Sequence, residues 1–164
     1  MIRIGLLSDT HNHLDKAAVK YLTQCDEIWH AGDIGTISVC KELEQIKPLR
    51  AVYGNIDGQD IRKVYPKVQR FMCENVDVLM VHIGGYPDRY DAEVKKLIEE
   101  KPPKLFICGH SHILKVIFDK KYSLLHINPG AAGNYGFHKV KTLVRFTIDK
   151  ENIKDLEVVE LGQL

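Results

Sequence analysis

Five apolar segments of this 164-residue chain end in the same way, because each gives way to an aspartate, an asparagine or a histidine. The segments are IGLLSDTH, IWHAGD, RAVYGN, LMVH and LFICGHSH. Short apolar runs bounded by glycine and polar residues are typical of buried strands. Ligand sites of α/β proteins gather at the carboxyl ends of strands, so we expect the terminal polar residues to meet in space. These residues are Asp9, His11, Asp33, Asn55, His82, His110 and His112.

The segments between these strands predict an α/β fold. Helical patterns cover KAAVKYLTQC after Asp15, residues 37–46 after the N-cap Thr36, and DAEVKKLIEE at residues 91–100. Strands and helices alternate up to Asp57, which indicates parallel strands joined by helical crossovers. Beyond it we predict three pairs of strands, which are KVQRFMCE with VDVLMVH, KVIFD with LLHIN, and TLVRFTID with IKDLEVVEL.

This pattern predicts two packed sheets with helices outside them. No linker or internal repeat interrupts the chain, and its length is too short for two domains of typical size. We therefore predict one domain over residues 1–164.

The types of the seven polar residues indicate a metal site. Two carboxylates, one amide and four imidazoles, with no thiolate, suit manganese, iron, zinc or nickel better than calcium or an iron–sulfur cluster. Seven protein ligands are too many for one such ion, and they fit two ions that share a carboxylate.

Two features of the local sequence offer a mechanical reason for the spacing of these residues. Gly32, Gly54 and Gly109 each precede a candidate ligand, and we expect them to let the backbone turn sharply there. In an extended segment, residues two apart point the same way, so we expect Asp9 with His11, or His110 with His112, to reach neighbouring ions.

The motifs SDTH, GD, GN, an isolated histidine and GHSH, in that order, resemble those of the calcineurin-like metallophosphoesterases. GNID and NPGAA are similar to the small YfcE-type phosphodiesterase branch of that superfamily. The resemblance covers nearly the whole chain. It implies a four-layer αββα fold, a β-sandwich flanked by helices, with two divalent metal ions. We expect manganese, and iron, zinc or nickel remain alternatives.

The resemblance also implies a role for each residue. The first metal would be bound by Asp9, His11 and His112, the second by Asn55, His82 and His110, and Asp33 would bridge them. A hydroxide held between the ions would attack the phosphorus atom of a small phosphodiester.

The chain departs from the family pattern at two places. Many relatives carry a histidine that assists the leaving group at the position of Ile56, and the stretch VHIGG stands where relatives often read THGH. Asp57, His13, His138 or a metal-bound water could supply the proton, and the sequence does not choose among them.

Two other functions stay open at this point. A phosphomonoesterase would need a cation for the additional negative charge of its substrate, and Arg89 is the one arginine that the pattern suggests. A non-catalytic binding scaffold, like the retromer subunit of this fold, would have no need of the seven ligands. Their presence favours an enzyme. Homo-oligomers are compatible with the edge strands, including the hairpin around Lys120.

The remaining sequence features exclude several classes of function. The formal charge of +1 offers no general attraction for nucleic acid. No apolar run is long enough for a membrane span, and the N-terminus lacks a signal peptide, so we expect a cytoplasmic protein.

The four cysteines are scattered and receive no chemical role. His30 and His126 are predicted to be hydrogen-bonded residues of the core or of the layer behind the ligands, and the resemblance to the family implies that Asn128 contacts the site.

Overall fold

A computed structural model describes residues 1–164, which form four helices and twelve strands. The helices are α1 Lys16–Leu22, α2 Ile37–Ile46, α3 Gln59–Arg62 and α4 Ala92–Glu100. The strands are β1 Ile2–Leu7, β2 Glu27–His30, β3 Leu49–Ala51, β4 Val68–Cys73, β5 Val76–Val81, β6 Gly85–Tyr86, β7 Arg89–Tyr90, β8 Leu105–Ile107, β9 Lys115–Asp119, β10 Leu124–Asn128, β11 Val140–Asp149 and β12 Asn152–Gln163. None of the helices has the length and apolar composition needed to cross a membrane.

The first sheet has the strand order β12-β11-β1-β2-β3. β1, β2 and β3 run parallel, with α1 and α2 as the connections between them, as the alternating pattern predicts. β11 pairs antiparallel with β1 and with β12, so the C-terminal hairpin extends this sheet.

The second sheet has the order β4-β5-β8-β10-β9. Its three central strands β5, β8 and β10 are parallel, and β4 and β9 pair antiparallel at the two edges. Both of its edge pairs, β4 with β5 and β9 with β10, are the hairpins expected from the sequence. The chain passes from β5 to β8 through β6, β7 and α4, and from β8 to β10 through β9.

The main core lies between the two sheets. Trp29 of β2 is fully buried there and packs edge-on against Phe71 and Phe146, with ring centroids 5.0 and 5.7 Å apart. A second cluster joins α1 and α2 to the outer face of the first sheet, and a third joins α4, through Val94 and Ile98, to the outer face of the second sheet. Four layers in the order αββα result, which confirms the predicted fold.

Local hydrogen bonds explain where α1 begins and ends. The side chain of Asp15 accepts a hydrogen bond from the backbone N–H of Ala17, which caps the first turn. The helix ends at Leu22, three residues before the end of the predicted pattern. The N–H groups of Gln24 and Cys25 donate to carbonyls only three residues back, and this tightens the chain out of the α-helix.

The short elements α3, β6 and β7 are absent from the sequence prediction. YPDRY, at residues 86–90, forms most of a small hairpin in which β6 pairs with β7. Its turn contains Asp88 with a positive φ of 72°. Elements this short show no hydrophobic period, and these three, unlike β2, β3 and β8, do not lie in an apolar run, so the pattern could not reveal them.

Candidate metal centre

The seven candidate ligands lie just beyond the ends of five strands. By strand they are Asp9 and His11 after β1, Asp33 after β2, Asn55 after β3, His82 after β5, and His110 with His112 after β8. Because β1, β2 and β3 run parallel, as do β5 and β8, these ends meet at one edge of the sandwich. The structure brings all seven side chains together there.

Asp9, His11 and His112 form a first triad of side chains able to hold a metal ion. Their ligand atoms all lie within 4.8 Å of one another. Nε2 of His112 is 3.2 Å from Oδ1 of Asp9, and Nε2 of His11 is 3.8 Å from the same oxygen. One carboxylate and two imidazoles directed at a common point are a suitable donor set for a first-row transition metal.

Asp33, His82 and His110 form a second triad of the same kind. Nε2 of His82 lies 3.2 Å from Oδ2 of Asp33. Nδ1 of His110 lies 3.1 Å from Oδ1 of Asn55, so the asparagine stands beside this triad.

Asp33 lies at the junction of the two triads. Its Oδ2 is 3.4 Å from Nε2 of His11 in the first triad and 3.2 Å from Nε2 of His82 in the second. Its Oδ1 accepts a hydrogen bond from the backbone N–H of Ile56, which fixes the carboxylate in this direction. A single carboxylate therefore faces both groups of ligands.

Three buried atoms of the centre have no hydrogen-bond partner, and they are Oδ1 of Asp9, Nε2 of His11 and Nε2 of His82. An unpaired buried polar atom costs about 1–3 kcal/mol, so three such atoms facing one another are unfavourable unless something binds them. The other oxygen of Asp9 is engaged, because it accepts from Ser8 Oγ at 2.6 Å and from the N–H of His110. The free atoms fit divalent cations, which would supply the missing partner.

The charges of the centre support one another. Burial opposes the charged form of Asp9, yet the nearby His11 and His112 outweigh it and hold the pKa of Asp9 well below its usual value. Burial of Asp33 is likewise outweighed by His82, so its pKa is also lowered. The Asp9 carboxylate raises the pKa of His11, and the two aspartates raise that of His82 despite its burial. Metal ions binding here would replace protons on the imidazoles.

Five of the seven candidate ligands have backbone dihedrals in the left-handed region. The φ angles are 54° at Asp9, 44° at His11, 55° at Asp33, 72° at His110 and 63° at His112. Residues other than glycine rarely adopt this conformation, and it concentrates at functional sites where the surroundings enforce it. The expectation of an extended segment around His110 and His112 is therefore wrong. The backbone adopts the left-handed conformation at each of the two histidines, and their imidazoles belong to different triads.

The glycines before the ligands act chiefly through close packing. Only Gly32 of the three has a positive φ, at 98°. A Cβ at Gly54 would overlap the backbone nitrogen and Oδ1 of Asp33, and one at Gly109 would overlap Ser8. These two glycines thus let neighbouring segments approach each other, in place of the sharp turn expected from the sequence.

Hydrogen bonds behind the ligands orient two of the imidazoles. Nδ1 of His82 lies 2.7 Å from the carbonyl oxygen of Ala31, so it donates there and leaves Nε2 free to face the centre. Nδ1 of His112 lies 3.3 Å from Nδ1 of His138, whose Nε2 lies 2.8 Å from the carbonyl oxygen of Gly133. His138 thus has both ring nitrogens engaged.

Asp57 and His13, considered as proton donors, occupy different surroundings. Asp57 is buried, and its two oxygens accept hydrogen bonds from the N–H groups of Ile34, Gly35 and Gly54 at 2.7–3.2 Å. Those three hydrogen bonds occupy both carboxylate oxygens with backbone groups of the loops that carry Asp33 and Asn55, so Asp57 holds these loops in place. His13 is exposed two residues beyond His11, and its ring makes no hydrogen bond within the chain.

Of the other predicted polar residues, His30 and Asn128 contact the segments that carry the ligands, whereas His126 packs against Phe106 and Tyr86. His30 is fully buried and hydrogen-bonds to Thr10 Oγ1 and the N–H of Gly32. Asn128 donates to the carbonyl of Gly109 and so supports the segment that carries His110. His126 is buried as expected, but neither of its ring nitrogens has a partner, so the predicted hydrogen bonds are not found.

Three residues close to the centre escaped the sequence analysis. Ser8 binds Asp9 and lies within the SDTH motif, so its place beside a ligand was a usable signal. Tyr135 places its ring 5.2 Å from that of His11, and Arg62 lines a cavity next to Asn55. Both of these come from segments without a recognisable motif, so only the folded chain reveals them.

Comparisons with known proteins find relatives over nearly the whole chain. The family model described as the calcineurin-like phosphoesterase superfamily domain matches residues 2–151. A probable metallophosphoesterase of Methanothermobacter thermautotrophicus is 26% identical over 164 residues, which cover 97% of this chain and 92% of that protein. A phosphodiesterase of Methanocaldococcus jannaschii is 28% identical over 149 residues, or 82% of this chain and 86% of its own. The crystal structure of Vps29 from Chaetomium thermophilum shares the fold, with a TM-score of 0.76 over 100% of both chains at 14% identity.

Proposed function

This chain belongs to the calcineurin-like phosphoesterase superfamily, and we propose that it is a phosphodiesterase that uses two divalent metal ions held by the two triads. The observation that carries the proposal is the position of Asp33 between the triads, with buried unpartnered ligand atoms on both sides of it. Asp9, His11 and His112 would hold one ion, Asn55, His82 and His110 the other, and Asp33 would contact both. Manganese is the proposed metal, and iron, zinc or nickel would suit the same donors.

Paired divalent ions, when bound, lower the pKa of water and neutralise charge on phosphoryl oxygens. Two such ions against the two aspartates leave a formal charge of about +2, which attracts a phosphate anion even to a nearly neutral protein. The chain's own contribution is to hold the ligands rigidly. Ser8 and the N–H of His110 fix Asp9, and the N–H of Ile56 fixes Asp33.

The leaving group has few proton donors within the chain. Ile56 has an apolar side chain, and Asp57 is engaged with three backbone N–H groups, so we assign Asp57 to holding the loop around Gly54. His138 has both ring nitrogens engaged, so His13, whose exposed ring has no partner, is the remaining side-chain candidate beside a metal-bound water. We therefore propose His13 as the proton donor, with esters of acidic alcohols as the faster substrates.

A paired substitution tests the role of Asp33. Asp33→Asn keeps the shape of the side chain and removes its charge, and we expect hydrolysis of bis(p-nitrophenyl) phosphate with added manganese to fall roughly a hundredfold to a thousandfold. Asp155→Asn is a matched control, because Asp155 also has φ 55° but is exposed on β12. The bound metal of each protein is measured by mass spectrometry. Equal activity in the two variants contradicts the proposal.

A binding scaffold is the rival function from another class. The likeness to Vps29 at 14% identity concerns the fold alone. The unpartnered ligand atoms lower the stability of the fold when no metal is bound, and a scaffold would have no reason to retain all seven ligands at that cost. Protein that takes up no metal and shows no hydrolysis after incubation with manganese would favour the scaffold.

A phosphomonoesterase is the rival within the same chemistry, and the cation of Arg62 next to Asn55 is the observation in its favour. That guanidinium is already bound to the backbone carbonyls of Asp57 and Asn55, so it is only partly available for a second phosphate charge. We expect a higher kcat/KM for bis(p-nitrophenyl) phosphate than for p-nitrophenyl phosphate. The reverse order would identify a monoesterase.

A further inference from the structure

A cavity of about 560 Å³ adjoins the second triad. Asn55 and His82 line it on one side, so the cavity and the candidate metal centre share two residues. Its other walls come from the segment between β3 and α3, the start of β4 and the first turns of α4. A volume of this size is within the range of small-molecule sites, and it is larger than a phosphate group requires.

The walls of the cavity are half apolar. Seven of its fourteen lining residues are hydrophobic, among them Val68, Val81, Val94 and Leu97. Val81 and Val94 are buried, which places them in the floor, and Val68 is 39% exposed at the rim. Apolar walls of this kind favour the binding of apolar groups, and they offer an anion neither a hydrogen-bond donor nor a positive charge.

Charged side chains of the cavity are paired or balanced. Lys67 lies 3.3 Å from Glu93 across the rim, where both side chains are exposed. Asp91 caps α4 by accepting a hydrogen bond from the N–H of Glu93. Two cations, Arg62 and Lys67, therefore face two carboxylates, and this balance does not favour a second phosphate in the cavity.

Arg62 has a fixed position in this wall. Its guanidinium carbon lies 4.5 Å from the ring centre of Tyr53, and its Nε donates to the carbonyl of Asp57 at 2.6 Å. A guanidinium held in this way offers a planar surface against which an aromatic ring can stack.

We propose that this cavity binds a flat apolar substituent of the phosphodiester, an aryl group or a ring system of similar shape. The inference rests on the proposed function, because it requires the phosphate to be held at the triads. The substituent would then reach the cavity across Asn55 and His82, which line both sites. Arg62 and Tyr53 would contact its ring, and the valines and Leu97 would exclude water from it.

Direct binding measurements on the manganese-loaded protein test the inference. Phenyl phosphate and methyl phosphate share the phosphate and differ in the ring, and both are compared by calorimetry at a pH where each is a dianion. We expect the wild type to bind phenyl phosphate about tenfold to thirtyfold more tightly, because the ring is removed from water.

Ala92→Trp is the variant that fills the cavity. Ala92 is the exposed first residue of α4 and lines the cavity, so an indole there can occupy it without disturbing the core. Lys96→Trp is the matched control, since Lys96 is exposed on the same helix and does not line the cavity. We expect Ala92→Trp to lose the preference for the ring and to keep its affinity for methyl phosphate, and Lys96→Trp to behave as the wild type.

Two results overturn the inference while the proposed function stands. One is equal affinity of the wild type for the two phosphates, and the other is a full ring preference in Ala92→Trp. If the metal-loaded wild type binds neither phosphate and leaves bis(p-nitrophenyl) phosphate intact, the proposed function fails and the inference fails with it. Hydrolysis of that diester by protein that binds neither phosphate overturns the inference alone, so the activity measurement separates the two cases.

Discussion

His112 depends on a neighbour for its orientation. An imidazole that binds a metal through one nitrogen is oriented by the hydrogen bond of the other, and for His112 that partner is His138. Because Nε2 of His138 donates to the carbonyl of Gly133, its Nδ1 is left as an acceptor. Nδ1 of His112 then carries the proton, and Nε2 faces Asp9 with its lone pair free.

His138→Phe keeps a ring of similar size and removes the acceptor. We expect the affinity of the first triad for manganese to fall about tenfold to a hundredfold, which is typical for the loss of such a hydrogen bond. His138→Asn, which offers an amide oxygen, is expected to restore part of the affinity. Titration of each metal-free protein against a competing chelator measures the effect. Unchanged affinity in His138→Phe would show that His138 only fills space.

Glycines near the centre differ in how closely other atoms approach them. A Cβ at Gly54 would overlap the backbone and carboxylate of Asp33, whereas one at Gly58 would meet only Asp60 Oδ1 at 3.5 Å. Gly54→Ala must therefore displace Asp33, and we expect a loss of about 2 kcal/mol or more in the free energy of unfolding. Gly58→Ala is the control, with an expected change within about 1 kcal/mol. Urea unfolding of the metal-free proteins measures both, and equal effects would contradict the packing argument.

At the scale of elements, the two helices that connect the parallel strands of the first sheet begin with different caps. Asp15 caps α1 through a hydrogen bond from its side chain and also pairs with Lys141 Nζ at 2.7 Å. Thr36 stands at the N-cap of α2, but its hydroxyl contacts Ser38 and caps no N–H group. Aspartate and threonine are both favoured N-cap residues, so the residue type alone does not show which of the two side chains forms a capping hydrogen bond.

The difference between these caps gives a prediction. Asp15→Ala removes both the cap and the ion pair, and we expect it to lower the free energy of unfolding by about 1–2 kcal/mol. Thr36→Ala removes no capping hydrogen bond, so a loss of only about a few tenths of a kcal/mol is expected. Urea unfolding at neutral pH measures the two variants side by side. A larger effect for Thr36→Ala would mean that its hydroxyl caps the helix in solution.

The sequence revealed the elements whose patterns are long enough to repeat. Helices α2 and α4 begin and end where their apolar spacing and their flanking residues indicate, and the three hairpins pair as expected. The direction of the ligand side chains was harder to predict. It depends on left-handed backbone at residues such as Asp9 and His110, which the surrounding fold enforces and no local pattern encodes.

At the scale of the whole molecule, the sandwich itself followed from the sequence, but the strand order did not. β10 lies between β8 and β9 although it follows both in the chain, and β11, near the C-terminus, lies between β1 and β12, so the order of strands in each sheet departs from their order in the chain. Such pairings depend on which apolar faces fit together, and a linear pattern carries no record of that. The cavity beside Asn55 has the same origin, since the segment after β3, the start of β4, the end of β5 and the first turns of α4 supply its walls jointly.

The two buried histidines outside the metal centre make the stability of the fold depend on pH. Burial lowers the pKa of His126 to about 4, with a smaller contribution from Lys115, and it lowers the pKa of His30 to about 4 as well. Below the unfolded value of 6.5, the unfolded chain binds protons that the native state excludes. The contribution of these two histidines to the free energy of unfolding is therefore fully present above pH 6.5 and decreases as the pH falls towards 4. Below pH 4 these groups cause no further decrease.

His126→Phe isolates the contribution of one group, because a phenyl ring fits beside Phe106 and Tyr86 and does not titrate. Between pH 6.5, the ordinary pKa of histidine, and pH 4, near the pKa of buried His126, we expect the free energy of unfolding of the wild type to fall faster than that of the variant. The difference is about 1.4 kcal/mol per pH unit and about 3 kcal/mol in total. His11 and His82 act in the opposite direction, since their pKa values are raised, but they are common to both proteins and cancel in the difference. Urea unfolding of the metal-free proteins across this window measures it. Parallel pH profiles would mean that His126 is hydrated in solution and takes up its proton in the native state.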